Sequence, residues 1–425
     1  MDDNNQPRKS TIIGQGRHGS VIAQPTAQQL SSKDKEPIRS GSQGQDHQSG
    51  SSGGRPGWYA VKVVSAPPNG RSRHMAPHDI LKEAKILQRL HHPSIAKVLA
   101  YEYDTSLLDH KLYMPLYVCS LSSLFADPSF TFISSRRSVP ASLSYQLLSA
   151  LSFLHSKQIA HRDINPSNLV LDIHGNLKLI DFGTTWVPSR LYQEYDLGHE
   201  DDPEETEEAM YPVVGSGAYR APELLFSPLR YDPYAVDMWA AGCIIAHFFR
   251  PFSHSYPAAV GEENEEVGED SEEDYDPLDD ERPSSPAGSG VRQPLFDARF
   301  GALGLAASIF RIRGTPTEDT WPTFRDLPDA EKIEFPLSSP QDLAVDLLSD
   351  IESLGEAETE ALVDVLEGVL ALDPGKRLKA EQALGSEWFR LATTRWEEGH
   401  LQAGEKMEWY DGPCVDWVSR SKLIM

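Results

Sequence analysis

Cysteine is scarce in this chain. Its 425 residues contain only Cys119, Cys243 and Cys414, at no paired spacing. That excludes a disulfide framework and a cysteine-rich zinc site, and points to a reducing compartment. Long hydrophobic runs are also missing. The longest apolar stretch, Ala235 to Phe249, carries Asp237 and His247 and is too short to span a bilayer. The polar start, Met1-Asp2-Asp3-Asn4-Asn5-Gln6, lacks the apolar segment of a signal peptide. An intracellular protein of the nucleus or cytoplasm, with no membrane partner, is expected.

Basic residues vanish where acid is densest. Residues 194–208 hold nine carboxylates and no Lys or Arg, and residues 262–281 hold thirteen and again none. These two stretches carry nearly all of the net charge of -25, so the rest of the chain is close to balanced. Such segments repel phosphate, which argues against nucleic-acid binding. They read either as solvated, disordered loops or as docking segments for a basic surface. An apolar fraction of 39% is a little low and suggests sizeable segments outside the core. The length allows more than one lobe.

Periodicity divides the chain. Residues 10–23 read as strand, glycine turn and strand, and residues 24–57, rich in Gln, Ser, Gly and Pro, as a low-complexity insert. Hairpin loops usually hold about 2–5 residues, but extra length at a loop tip costs little free energy. Trp58 to Val64 reads as a strand. Asp79 to Leu90 reads as a helix, with Ile80, Leu81, Ala84, Leu87 and Leu90 at helical spacing. Ile95 to Tyr103 and Lys111 to Met114 are strand candidates. Helices are expected at Pro140–Ser156, Ala235–Phe248, Leu303–Arg313, Leu343–Ser353 and Glu358–Leu372.

Five short motifs then occur in one order. They are Gly14-Gln15-Gly16-Arg17-His18-Gly19-Ser20-Val21; Ala60-Val61-Lys62; His161-Arg162-Asp163-Ile164-Asn165-Pro166-Ser167-Asn168; Asp181-Phe182-Gly183; and Ala221-Pro222-Glu223. A lone G-x-G-x-x-G is weak and also marks dinucleotide folds, but those need a helix directly after the glycines. Here Ser20-Val21-Ile22-Ala23 reads as a strand. Together the five resemble the protein-kinase signatures G-x-G-x-x-G-x-V, V-A-I-K, H-R-D-x-x-x-x-N, D-F-G and A-P-E. The resemblance covers roughly residues 10–392.

That resemblance implies an α+β, two-lobed protein kinase fold: a small β-rich N-lobe with one main helix, and a larger, mostly helical C-lobe. The expected limits are a disordered N-terminus at 1–9, the N-lobe at 10–118 and the C-lobe at 119–392. The C-lobe would carry acidic inserts at 190–212 and 255–292, and a tail would follow at 393–425. The implied cofactors are ATP and Mg2+ and the implied partners are protein substrates. Transfer of a γ-phosphate needs a carboxylate near the attacking hydroxyl and oxygen ligands for the metal. Asp163 takes the first role, Asn168 and Asp181 the second. Lys62 would grip the phosphates and pair with Glu83. Gly14, Gln15, Gly16, Gly19 and Val21 would cover the nucleotide, with Ala60 beside it. Met114 would be the gatekeeper, Pro115 would offer its carbonyl and Tyr117 its N–H to adenine. Asp237 would bond the catalytic-loop backbone, Glu223 would pair with Arg377, and Arg162 and Gly183 would shape the activation segment.

Within the family, the C-terminal half resembles the cyclin-dependent kinases in Tyr219 to Leu225, Ile309 to Thr317 and Trp321-Pro322. Three departures stand out. Serine/threonine kinases carry a catalytic Lys where this chain has Asn165, which can still donate a hydrogen bond to the γ-phosphate but brings no charge; a lost charge-assisted contact costs about 1.5–3 kcal/mol, roughly one or two orders of magnitude in rate. The helix before Glu83, Met75 to Lys82, is not the PSTAIRE-type cyclin-binding sequence, which argues against a cyclin. Met210 stands where relatives carry a phosphorylatable Thr, and Glu204, Glu205, Glu207 and Glu208 lie just upstream. One of these glutamates is a candidate to hold Arg162 in place of a phosphate; the alternative is an acidic loop with no clamp. Gly215 to Arg220 is similar to the single-subunit, cyclin-independent kinases of fungi that activate cyclin-dependent kinases. Ser216 would then take the place of the Thr that bonds the catalytic Asp, and Ala218 replaces the usual Trp. A monomer acting on cyclin-dependent kinases is implied. A cyclin-dependent, proline-directed kinase and a pseudokinase scaffold remain as alternatives.

Overall fold

In a computed structural model, residues 10–16, 19–25, 58–65, 78–127, 130, 138–197, 205–253, 291–348 and 354–398 are described. Strands β1 (Thr11–Gly16), β2 (Gly19–Pro25) and β3 (Trp58–Ser65) are followed by helix α1 (Ile80–Arg89) and strands β4 (Ala100–Asp104) and β5 (Asp109–Pro115). The strands form one five-stranded sheet in the order β1-β2-β3-β5-β4, every pair antiparallel. Side chains alternate across a strand, and β3 uses both faces. Tyr59 and Val61 pack with Tyr113 on one face, while Val64 packs with Leu112, Met114, Ile80 and Ala84 on the other. Lys62 therefore points to the α1 side.

Helix α1 starts where Asp79 accepts hydrogen bonds from the N–H groups of Leu81 and Lys82, the usual work of an aspartate N-cap. It ends at Leu90, whose N–H returns to Leu87 O. Ile80 and Ala84 face the sheet, and Ile86, Leu87 and Leu90 join the core of the larger lobe. The helix thus bridges the lobes, with Glu83 on its buried side.

The larger lobe contains β6 (Cys119–Ser120), α2 (Leu121–Phe125), α3 (Ser138–Ser156), β7 (Leu169–Leu171), β8 (Leu177–Leu179) and α4 (Tyr192–Tyr195). Then come α5 (Pro233–His247), β9 (Phe252–Ser253), β10 (Val291–Arg292), α6 (Gly301–Arg313), α7 (Glu356–Val369), α8 (Ala380–Leu384) and α9 (Glu387–Glu398). Strands β6, β7 and β8 form a small sheet beneath the cleft between the lobes. Helix α5 is buried nearly all round, as its continuous apolar sequence requires, with Asp232 capping its start and Pro233 in its first turn. No helix among the described residues is long and apolar enough to cross a membrane.

Several boundaries differ from expectation. Gln24 and Pro25 belong to β2 rather than to the 24–57 insert, because they pair with Tyr59 and Trp58. Val291 and Arg292 leave the 255–292 insert and pair with Ser253 and Phe252. Ile95 makes only an isolated bridge to Leu179, so that strand begins at Ala100. Of the helix expected at Leu343–Ser353, the described residues form a π-turn at Leu343–Leu347 that stops at an extended Leu348, and 349–353 lie outside the described residues. Helix α9 runs past 392 to Glu398. The 1–9 terminus, residues 26–57 and 254–290, 198–204 within the acidic segment, and the tail from 399 lie outside the described residues.

A buried ion pair fastens the segment after the activation loop to the larger lobe. Arg377 donates to both carboxylate oxygens of Glu223, at 2.6 and 2.7 Å, and to the carbonyls of Ala235, Ala371 and Leu372. Its guanidinium also lies over the Trp239 ring. Removing one partner leaves a buried charge alone, which typically costs about 3–5 kcal/mol. Arg377→Ala is therefore expected to lower stability by about that much in urea unfolding. A loss below about 1 kcal/mol would mean that the pair is not a structural tie.

Candidate active site

Lys62 lies in register with Val21 on β2 and Leu112 on β5. Its ammonium nitrogen is 2.8 Å from Glu83 Oε2, 2.7 Å from Asp181 Oδ1 and 3.1 Å from His78 Nε2. Burial alone would discharge the amine, but the carboxylates of Asp181 and Glu83 outweigh it and hold the Lys62 pKa above its ordinary value. Asp181 is likewise kept well below the usual carboxylate range: burial opposes ionisation, and Lys62 and His78 override it. His78, Glu83 and Asp181 have the spacing of a metal-ligand group, but the cation among them here is the Lys62 ammonium. Glu83 also accepts the N–H of Phe182 at 3.2 Å, which ties α1 to the Asp181-Phe182-Gly183 turn.

His78 had no signal in the sequence. It lies just before the α1 cap, is buried, and meets Asp181 Oδ1 at 2.9 Å. Gly183 makes room for it: a Cβ at that position would come within 2.1 Å of the imidazole. The N–H of Asp79 bonds Gly183 O at 3.0 Å, so the turn and the start of α1 are locked together.

The catalytic loop is held from below by Asp237 on α5. Its carboxylate accepts from the N–H groups of His161 (2.9 Å) and Arg162 (2.7 Å), and from His155 Nε2 at 3.0 Å. Arg162 adopts a left-handed backbone, φ 66°, which is uncommon for a side chain of this size and is sustained by its surroundings. Asp163 follows. Its carboxylate accepts from Ser216 Oγ at 2.7 Å and from Asn168 Nδ2 at 2.9 Å. Burial pushes the Asp163 carboxyl up from its ordinary value; the Ser216 hydrogen bond pulls the other way and the negative charge of Asp181 adds to the rise. Asp163 and Asp181 are thus close enough to feel one another.

Asn165 differs from the expected donor to phosphate. Its Oδ1 accepts the N–H groups of Ser167 and Asn168, and its Nδ2 reaches Asp163 O at 3.3 Å. Starting a short 3-10 turn takes its side chain back into its own loop.

The glycine strands lie over this cleft. Gly14, Gln15 and Gly16 are on β1, and Gly16 pairs with Gly19 of β2. Gly19 has φ 150°, and a Cβ there would fall 2.2 Å from Val63 O, so only glycine fits. Ala60 is opposite Met114, and Pro115 is the last residue of β5, opposite Tyr59. Met114 is buried beside α1. Tyr117 follows, its hydroxyl pushed up to about 12 by burial. Among the described glutamates of the acidic segment, Glu205 is the one that Arg162 meets.

Magnesium prefers hard oxygen ligands, and two are suitably presented. Asn168 gives its amide nitrogen to Asp163 O and Oδ2, which leaves the amide oxygen for a metal ion. Asp181 uses Oδ1 toward Lys62 and His78, and its side chain is 29% exposed. The donor set therefore fits magnesium.

A family model described as "Protein kinase domain" matches residues 49–389. Among curated proteins, the chain is 30% identical over 321 residues to "Cyclin-dependent kinase G-2" of Oryza sativa, covering 75% of this chain and 36% of that protein. It is 28% identical over 335 residues to a serine/threonine-protein kinase of Saccharomyces cerevisiae, covering 75% and 41%. The chain thus spans well under half the length of these relatives. A chain in the crystal structure of the yeast RNA Pol II CTD kinase CTDK-1 complex shares the fold with a TM-score of 0.55, at 21% identity, over 83% of this chain and 88% of that one. The family match begins after the glycine strands, yet those strands pair directly with β3 and complete the same sheet. With the motifs gathered in one cleft and more than half of the chain matched, this protein belongs to the protein kinase family, in its cyclin-dependent-kinase-like group.

Proposed function

We propose that the protein transfers the γ-phosphate of ATP to serine or threonine hydroxyls of other proteins. The observation that carries this reading is the meeting, in one cleft, of the Lys62–Glu83–Asp181 ion group with Asp163, Asn168 and Ser216. Lys62 is charged and fixed by Glu83, so it can hold the α- and β-phosphates without searching for them. Asp163 orients the attacking hydroxyl and accepts its proton. Ser216 and Asn168 fix the direction of that carboxylate. When bound at Asp181 and Asn168, magnesium supplies positive charge to the phosphate oxygens. The glycine strands of the sheet would cover the phosphates.

The finer reading is that the substrates are activation loops of cyclin-dependent kinases and that no cyclin is needed. Support comes from a closed α1 within one chain, with Lys62 paired to Glu83. Lys85 of α1 also reaches the carbonyl of Asp196 at the end of α4, tying the helix to the chain's own activation segment. A second reading, a proline-directed kinase that requires a cyclin, is favoured by the names of the rice relatives.

One assay separates these readings: the purified chain, labelled ATP, unphosphorylated kinase activation loops and Ser-Pro peptides, with and without cyclins. Turnover on the loops without cyclin is expected, reduced about 10²–10⁴-fold by Asp163→Asn. Turnover only with a cyclin supports the second reading, and no turnover under any condition leaves a scaffold. The pH profile adds a signature. Asp163 acts as acceptor only when ionised, so kcat/KM falls as pH drops through its raised pKa. Ser216→Ala removes a hydrogen bond that favours the ionised form. Its acid limb is expected to move to higher pH; a limb unmoved, or moved lower, would separate Ser216 from Asp163.

A further inference from the structure

Arg162 is completely enclosed, and so is its partner. Its two terminal nitrogens donate to the two carboxylate oxygens of Glu205, at 2.6 and 2.7 Å, and the side chains are 0% and 3% exposed. This is the fork-to-fork geometry in which guanidinium and carboxylate fit best. Nε of Arg162 donates to Thr184 O, and Nη1 also donates to the Tyr231 hydroxyl at 2.9 Å. Burial would weaken the guanidinium charge, but Glu205 more than compensates and the Arg162 pKa stays above its ordinary value.

Glu205 does more than neutralise. Its Oε1 accepts the N–H of Tyr211 at 2.8 Å, and Tyr231 donates its hydroxyl to Tyr211 O at 2.7 Å. Five residues beyond Tyr211 is Ser216, on the Asp163 carboxylate. Glu205 therefore holds two routes to the site: the left-handed Arg162 that precedes Asp163, and the segment that delivers Ser216. The other described glutamates of this segment do not compete. Glu207 and Glu208 pair with Arg190 and Arg230 on the exposed surface.

Activation segments of kinases are commonly ordered by a phosphate that pairs with arginine. A phosphate brings about -1.5 to -2 charges, and among the described residues the cation hydrogen-bonded to Glu205 is Arg162. A carboxylate balances one guanidinium; a phosphate would leave buried negative charge. The neighbouring hydroxyl also points elsewhere: Thr206 Oγ1 accepts from the N–H groups of Glu208 and Ala209 in a local turn. Met210, where relatives carry a phosphorylatable Thr, is buried against Ala160 and Trp186.

We propose that Glu205 is a positioning residue that permanently replaces an activation-segment phosphate, so that this chain is competent without phosphorylation by another kinase. This rests on the kinase reading above. The test uses the full chain, treated with a broad phosphatase, with its phosphorylation state read by intact mass. The dephosphorylated wild type is expected to keep at least about half of its kcat/KM. Glu205→Gln keeps the shape but loses the charge, and is expected to lower kcat about 10–100-fold with the KM for ATP changed by less than about twofold. Glu205→Asp, which retains the charge, recovers part of the loss. A wild type that loses about tenfold or more on phosphatase treatment, or a Glu205→Gln variant within about twofold of wild type, overturns the proposal. A readout independent of turnover keeps the two readings apart. Deuterium uptake over residues 205–220 should be slow in the wild type, dephosphorylated or not, and fast in Glu205→Gln. If the wild type shows no turnover at all, the kinase reading fails, and equal uptake in the two proteins would still overturn the clamp.

Discussion

Charges taken out of water must be met by opposite charge or by hydrogen bonds, and the working parts of this protein are arranged around that requirement. The Lys62 ammonium sits among Glu83, Asp181 and His78, contributed by a strand, a helix, the turn below them and the residue before the helix cap. Three separate parts of the chain come together around this one ammonium. The geometry proposed to hold a nucleotide is thereby tied to the condition for burying a lysine. A rotation of α1 away from the sheet would part Glu83 from Lys62 and leave the ammonium with Asp181 as its carboxylate partner, and that electrostatic cost opposes the movement.

The same logic recurs below the cleft. Asp237 takes two backbone N–H groups of the catalytic loop, Glu205 takes Arg162, and Glu223 takes Arg377. Each carboxylate fixes a segment without regular secondary structure. Loops cannot hold a fixed shape through ladder hydrogen bonds, so buried ionic and charge-assisted contacts supply the rigidity. Arg162 and Asp181, with φ of 66° and 63°, sit in left-handed backbone at the two loops to which the proposed reading assigns the chemistry. Such conformations persist only where the surroundings over-determine them, and here Asp237, Glu205, Lys62 and His78 do so.

Much of this was legible in the sequence because the chemistry uses contiguous residues. The catalytic loop, the Asp181 turn and the glycine strands each require a local pattern, and α1 showed most of its apolar stripe, while Glu83 was named through the resemblance. The pairs Glu223–Arg377 and Asp237 with the loop backbone were readable only through resemblance, since the partners are far apart in the chain. His78 was not legible: a histidine before a helix cap has many ordinary uses, and only the space left by Gly183 reveals its place. The sequence offered four glutamates for Arg162; the choice of Glu205 depends on how the segment turns at Thr206 and where Tyr231 lies. Asn165 departs from expectation because its residue type suggests a contact with phosphate, whereas asparagine at the start of a turn favours backbone capping. The short strand at Val291–Arg292 lacks periodicity, and the apolar spacing from Leu343 onward suggested a helix where the described residues form one π-turn ending at an extended Leu348.

The central claim is that Lys62, Asp163, Asn168 and Asp181 surround one nucleotide–metal complex in the cleft between the lobes. It is tested most directly by an experimental structure of the purified chain with magnesium and a non-hydrolysable ATP analogue. The predicted result has Asp181 and the Asn168 amide oxygen on the metal at about 2.0–2.1 Å, the Lys62 amine on the phosphates, and the Asp163 carboxylate facing the terminal phosphate. A nucleotide bound outside the cleft, or a metal held without Asp181, would contradict it.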